Sequence, residues 1–217
     1  MQYEERQLSL FAEPSRQSVA RIEAPWETAT SLADLARFAV QCHRCRLRTG
    51  CRQVVFGEGD PAADLMFVGE GPGQEEDAAG LPFVGRAGEL LTRILAAAGL
   101  ERGEVYITNV VKCRPPGNRL PQPDEVQACK VYLEAQIRII RPKILVCLGA
   151  LAAQTLIDPR VRITRDRGKW AHKDGILIMP TFHPAALLRD PYKKKPVWID
   201  IQSVVRHYRA LPGRGQE

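Results

Sequence analysis

The sequence contains no run of eighteen apolar residues, and its opening segment, MQYEERQLSLF, has neither a basic start nor an apolar stretch. A membrane-spanning helix needs about 20 consecutive apolar residues, and a secretory leader needs both of the missing features, so the reading is of a cytoplasmic chain with no membrane partner. No internal repeat or low-complexity segment is present. What is there suits one globular domain with tails: 217 residues, 45% hydrophobic and 26% charged, give enough chain for a single core of about 150 to 200 residues. Thirty-one Lys and Arg against twenty-five Asp and Glu leave a net charge of +6, which favours polyanionic partners without selecting one. Six cysteines in a chain of reducing surroundings are poor candidates for disulfides and better ones for metal binding.

Residues 1–30 contain Pro14, Pro25 and many Ser, Glu and Gln with little apolar periodicity, and read as a flexible tail. The domain is expected over 31–211, with a C-terminal tail at 212–217. Leu32, Leu35, Phe38 and Ala39 recur at helical spacing behind Thr30 and Ser31, so a helix delivers the chain to Cys42. Beyond it, short apolar runs at 65–68, 105–111, 144–148 and 176–179 alternate with helical patterns at 89–98, 124–140, 150–157 and 198–208. Strands separated by helices pair in parallel, so the predicted fold is α/β, a four-stranded parallel sheet flanked by helices. In such sheets, ligands bind beyond the carboxyl ends of the strands.

The loop after the first strand reads Gly69, Glu70, Gly71, Pro72, Gly73, Gln74, Glu75, Glu76, Asp77. Its glycines permit close backbone approach to a ligand, but no Lys-Ser or Lys-Thr pair follows and four carboxylates would repel a phosphate, so a neutral ligand fits better. Phe83, flanked by small residues, can act as a stacking plate. Asn109 ends the second strand, and its amide can read a nucleobase edge through one donor and one acceptor. His183 follows the fourth strand, with Pro184 fixing the turn. Converging at one sheet edge, these groups suit cleavage of a bond to a nucleobase.

Cys42 and Cys45 form a C-x2-C pair; Cys113 lies 68 residues beyond Cys45, and Cys129 follows as C-x15-C. These four can complete a four-sulfur shell, with Arg44, Arg46, Lys112 and Arg114 offsetting its charge. Structural zinc sites usually show a second close pair, which is absent here, so the spacing favours an iron-sulfur cluster while zinc stays the competitor. Cys51 is a substitute ligand, and Cys147, in an apolar strand, a core thiol.

With CHRC, VVFGEG, VGEGPGQEED, PFVGRAG, YITNVVKCRPPGNR, GKW and FHPAALLR in this order between Cys42 and Leu211, the chain resembles the type-4, iron-sulfur uracil-DNA glycosylases. Gly71 in the first loop and the lack of a basic insertion in RPPGNR set it apart from a related branch that cross-links to its product. The resemblance implies a 4Fe-4S cluster on Cys42, Cys45, Cys113 and Cys129 with a structural role, and a hydrolase that releases uracil from DNA and leaves an abasic site. It further implies that Phe83 stacks on uracil, that Asn109 reads its edge, that the Gly71 amide bonds a carbonyl, and that His183 stabilises the leaving anion. Glu70 is the first choice to position the water and Glu76 the second. Leu187, four residues past His183, is the expected wedge that enters the space left by the flipped base. A non-catalytic DNA-bound module, or a glycosylase for another deaminated base such as hypoxanthine, are the alternatives.

In the tail, Gln7, Leu8, Ser9, Leu10 and Phe11 resemble the peptide with which bacterial repair proteins dock on the polymerase sliding clamp. The chain is otherwise expected to act as a monomer, at the nucleoid.

Overall fold

The computed structural model describes residues 24–212. Six strands form one sheet: β1 (Glu58–Gly59), β2 (Leu65–Gly69), β3 (Tyr106–Asn109), β4 (Ile144–Leu148), β5 (Ala171–Lys173) and β6 (Ile176–Thr181), in the order β1-β3-β2-β4-β6-β5. The inner four, β3-β2-β4-β6, run parallel and are the four that the apolar runs predict. The sheet is nevertheless mixed rather than purely parallel, because β1 pairs antiparallel with β3 and β5 antiparallel with β6. These edge strands, two and three residues long, carry Glu58, His172 and Lys173 and no apolar run. Short polar edges discourage pairing with another chain, and they leave no hydrophobic signature in the sequence.

Ten helices follow the chain among the described residues: α1 (Pro25–Thr28), α2 (Leu32–Val40), α3 (Leu47–Gly50), α4 (Gln74–Ala79), α5 (Arg86–Ala97), α6 (Pro123–Ile140), α7 (Ala150–Leu156), α8 (Ile163–Asp166), α9 (Pro184–Arg189) and α10 (Lys194–Arg209). None is long and apolar enough to cross a membrane. Period-2 alternation splits the strands between two cores. Met66, Val68, Leu145, Cys147 and Ile178 face α2, α6 and α7, whereas Leu65, Phe67, Ile144, Val146 and Met179 face α5, α9 and α10. With helices on both faces, every residue of β2 and β4 is buried, which is why these strands read as continuous apolar runs.

Folded structure begins earlier than the boundary at residue 31. Trp26 of α1 meets Tyr132 edge-on at 5.9 Å, the Arg44 guanidinium lies 4.0 Å over its ring, and Ala29 is buried in the core. Arg138 donates to the carbonyls of Trp26 and Ala29 at 3.0 and 3.1 Å, holding this segment on α6. The pentapeptide Gln7 to Phe11 and most of the C-terminal tail lie outside the described residues.

Register places the chemistry. Gly69 lies opposite Asn109, and Leu148 opposite Thr181, so all four parallel strands finish at one edge with the 69–85 loop, Asn109 and the turn into His183 side by side.

Candidate active site

That edge opens into a cleft of about 590 Å³. Glu70, Gly71, Glu76, Phe83, Asn109 and His183 all line it, so residues that span 114 positions of sequence share one wall. Leu187 does not. It is 1% exposed, packed in the core between α9 and the sheet, while the 37% exposed apolar residue of that helix is its neighbour Leu188. The expectation of Leu187 as a wedge is therefore corrected: consecutive helical residues point about 100° apart, and the fold turns Leu187 inward.

Phe83 adopts φ 53°, the left-handed region that side chains normally avoid, a strain of about 1 to 3 kcal/mol that the surroundings must overcome. Glu76 supplies the restraint. Its Oε1 accepts the amides of Val84 at 3.1 Å and Gly85 at 2.9 Å, and its Oε2 accepts the Gly73 amide at 3.0 Å. Both oxygens are thus engaged by backbone, which makes Glu76 the anchor of the Phe83 loop rather than a carboxylate free for water. The Phe83 ring stacks beside His183, with centroids 5.6 Å apart at 29°. Both Phe83 and Asn109 close over Gly69, where an added Cβ would lie 2.5 Å from Phe83 Cζ and 2.4 Å from Asn109 Oδ1. Only glycine admits this convergence.

Asn109 is 1% exposed, and its Oδ1 has no hydrogen-bond partner among the described residues. Leaving such a buried acceptor unmet costs about 1 to 3 kcal/mol, a cost that a ligand N–H removes. His183 caps α9: its Nδ1 accepts the Ala185 amide at 3.1 Å, so in the neutral ring the proton sits on Nε2, which becomes the available donor. Burial, reinforced by Arg189 and opposed by Glu76, pulls the His183 pKa down to about 4, so the imidazole is neutral at pH 7. Burial also raises the pKa of Glu70, with Arg189 opposing. At Gly71 a Cβ would meet Val111 Cγ2 at 2.7 Å, so the cleft holds bare backbone there.

Cys42, Cys45, Cys113 and Cys129 line a single small space of about 20 Å³ together with Leu47, Val54 and Tyr132, Cys113 and Cys129 buried and Cys42 and Cys45 half-buried. Burial pushes the Cys129 thiol up to about 11 and raises Cys45 and Cys113. Among the described residues, no three His, Cys, Asp or Glu side chains stand together as ligands of a metal ion. Cys51 does not line this space and sits against Arg48, with Cys113 as a neighbour. Cys147 is a fully buried core thiol.

The cations that the spacing offers to the thiols have other hydrogen-bond partners. Arg46 pairs with Glu125 at 2.8 Å and Asp124 at 3.2 Å; Arg44 donates to the Ala128 carbonyl at 3.1 Å; Arg114 Nε donates to Asn118 Oδ1 at 2.7 Å. Lys112 turns its ammonium toward Asn109. The sequence reading also missed Arg119, which lines the cleft and makes a two-pronged pair with buried Glu125 at 2.7 and 2.8 Å. The Arg in RPPGNR, six residues before the acid, was its only signal.

The sequence model of the uracil DNA glycosylase superfamily matches residues 56–202. Three relatives, each named a type-4 uracil-DNA glycosylase, align over most of their length. The protein of Sulfurisphaera tokodaii is 45% identical over 183 residues, covering 80% of this chain and 83% of its own. That of Thermotoga maritima is 51% identical over 154 residues, 69% and 79% of the two chains. That of Archaeoglobus fulgidus is 42% identical over 184 residues, 80% and 92%. A superfamily match across both walls of the cleft, joined to this degree of identity, places the chain in the type-4 family of the uracil-DNA glycosylase superfamily.

Proposed function

We propose that the protein is a monofunctional DNA-repair hydrolase that cleaves the N-glycosidic bond of deoxyuridine in DNA, releasing uracil and leaving an abasic site. The observation that carries this reading is the buried, unpartnered Asn109 Oδ1 beside the Phe83 ring and the neutral His183. Uracil offers an N–H at N3 flanked by carbonyls, which matches an acceptor and a donor on one amide.

The bond to be cut is inaccessible inside a stacked helix, so the nucleotide is flipped into the cleft. Phe83 stacks on the base, Asn109 reads its edge and the Gly71 amide bonds a carbonyl. As the bond from C1′ to N1 lengthens, its electron pair moves onto uracil. His183 Nε2–H donates to O2 of the leaving anion, an effect of about 3 to 4 kcal/mol when a comparable donor is removed. Water adds to C1′ and passes its surplus proton through Glu70 to solvent, from which the released uracil anion is protonated; Glu70, half-buried and not tied to backbone amides as Glu76 is, also orients that water. The chemistry of the donor set favours an iron-sulfur cluster, since four thiols, with no His or carboxylate among them, line one space. Such a 4Fe-4S group supplies a structural cross-link, and no step of the hydrolysis passes through it.

The same reading puts the enzyme in the cytoplasm at the nucleoid, acting as a monomer, with Gln7 to Phe11 docking on a bacterial sliding clamp. The deciding experiment incubates purified protein with a uracil-bearing oligonucleotide and then with alkali. Strand scission is expected with wild type and is expected to fall at least a hundredfold in Asn109→Ala and His183→Ala. No scission by wild type, or near-normal rates in both variants, would overturn the assignment.

A further inference from the structure

Lys112 lines the cysteine space and its positive charge favours the Cys129 thiolate, yet its side chain runs toward the cleft, where the chemistry above gives it no part. It is 2% exposed, and its ammonium has three oxygen neighbours: Thr108 Oγ1 at 2.6 Å, the Asn109 carbonyl at 2.7 Å and Gln136 Oε1 at 2.6 Å. An ammonium has three donors, so this shell is complete. No carboxylate shares it, since the ion pairs among the described residues do not include Lys112. A lysine nitrogen sealed from water has its position dictated by the oxygens that accept its hydrogens. They are themselves fixed: Gln136 Nε2 donates to the Phe56 carbonyl at 2.9 Å and to Tyr106 Oη at 3.2 Å, and Thr108 Oγ1 donates to the same Phe56 carbonyl at 2.8 Å.

The main chain of Lys112 is held as firmly. Its amide donates to Cys129 Sγ at 3.3 Å, and its carbonyl accepts the Val55 amide at 2.8 Å. Residues 109 to 112 therefore make one turn with the cleft at its start and a thiol at its end, and the Lys112 side chain folds back to close it on Asn109. We propose that Lys112 is a positioning residue for base recognition: it pins the Asn109 carbonyl and so sets the direction of the Asn109 amide, with Cys129 as the fixed end of the turn. This rests on the reading of Asn109 as the base-contacting residue. Lys112 and Asn109 are 2% and 1% exposed and present no surface to a DNA backbone, so loss of the pin is expected to weaken binding of the base and spare binding of the phosphates.

The test uses the full chain and two duplexes that differ at one nucleotide: 2′-fluoro-deoxyuridine, whose glycosidic bond resists cleavage, or a tetrahydrofuran abasic analogue. Lys112→Met is expected to bind the first on the order of 10- to 100-fold more weakly than wild type, the scale of a lost charge-assisted hydrogen bond, and the second equally well. Its iron content per chain is expected to match wild type, because the amide on Cys129 is backbone. Wild-type affinity for both duplexes, a parallel loss on both, or lost iron would overturn the proposal. Asn109→Ala separates it from the reading beneath it. If that variant keeps wild-type affinity for the fluorinated duplex, the functional reading fails; if it loses affinity while Lys112→Met does not, the positioning role alone fails. Should Lys112→Met not fold, Gln136→Leu removes one acceptor without touching Asn109, and the same preferential loss is expected at a smaller, several-fold scale. An unchanged affinity ratio in that variant would overturn the proposal.

Discussion

Replacing Glu76 separates the two carboxylates that the acidic loop offers to water. In the fold its oxygens accept three amides, those of Gly73, Val84 and Gly85, between 2.9 and 3.1 Å. Hydrogen bonds to charged groups are worth about 1.5 to 3 kcal/mol when well buried; Glu76 is half-buried, so about 1 kcal/mol each gives about 3 kcal/mol for Glu76→Ala. In a chain of this size each kcal/mol lowers Tm by about 2 to 4 °C, which predicts a fall of roughly 6 to 12 °C. Glu76→Gln keeps one oxygen for Val84 and Gly85 but turns its NH2 against the Gly73 amide, so about half that fall is expected. Single-turnover cleavage supplies the second readout. Because Glu76→Gln still holds the Phe83 loop, its rate is expected within tenfold of wild type, whereas Glu70→Gln is expected to lose on the order of a hundredfold with little change in Tm. A hundredfold loss in Glu76→Gln at unchanged Tm would refute the anchoring role and return Glu76 to the chemistry.

Stability is expected to fall in acid through His183. Its folded pKa of about 4 lies below the ordinary 6.5, so the unfolded chain binds the extra proton first, and the contribution present above pH 6.5 is lost as pH falls toward 4. Urea midpoints between pH 7 and 4.5 should drop more for wild type than for His183→Gln, and parallel curves would contradict this. Leu187→Ala opens a core cavity and should cost about 2 to 5 kcal/mol, with equal rate losses on single and double strands; Leu188→Ala should spare stability and weaken duplex cleavage more. Cys113→Ser or Cys129→Ser should bleach a brown protein, while Cys51→Ser keeps its colour; stoichiometric zinc in a colourless protein would reassign the metal. Removal of residues 1–23 should leave cleavage of short oligonucleotides unchanged, and calorimetry of a peptide spanning residues 1–16 against a bacterial clamp should show micromolar binding, about 8 kcal/mol, that Leu10→Ala with Phe11→Ala abolishes.

The elements that local pattern specifies were legible in the chain itself. A strand covered on both faces has to be apolar at every position, so Leu65 to Val68 and Ile144 to Leu148 announce themselves, and the residues that follow such strands, Glu70, Asn109 and His183, necessarily meet at one sheet edge. The spacing of Cys42, Cys45, Cys113 and Cys129 marked them out as a candidate four-sulfur set, and the fold brings all four to one small space. Three matters were decided only by tertiary packing. Glu70 and Glu76 are chemically alike, and the return of the 82–85 segment onto Glu76 alone made one of them an anchor. Leu187 and Leu188 are the same residue side by side, and the seating of α9 on the core chose which faces inward. Lys112 reads in sequence as a countercharge for the neighbouring cysteine, yet its long side chain folds back to oxygens at Thr108, Asn109 and Gln136, the last contributed by a helix 24 positions away. Periodicity reports which positions are buried, whereas the partner of a buried polar group is set by whichever element the chain later brings against it.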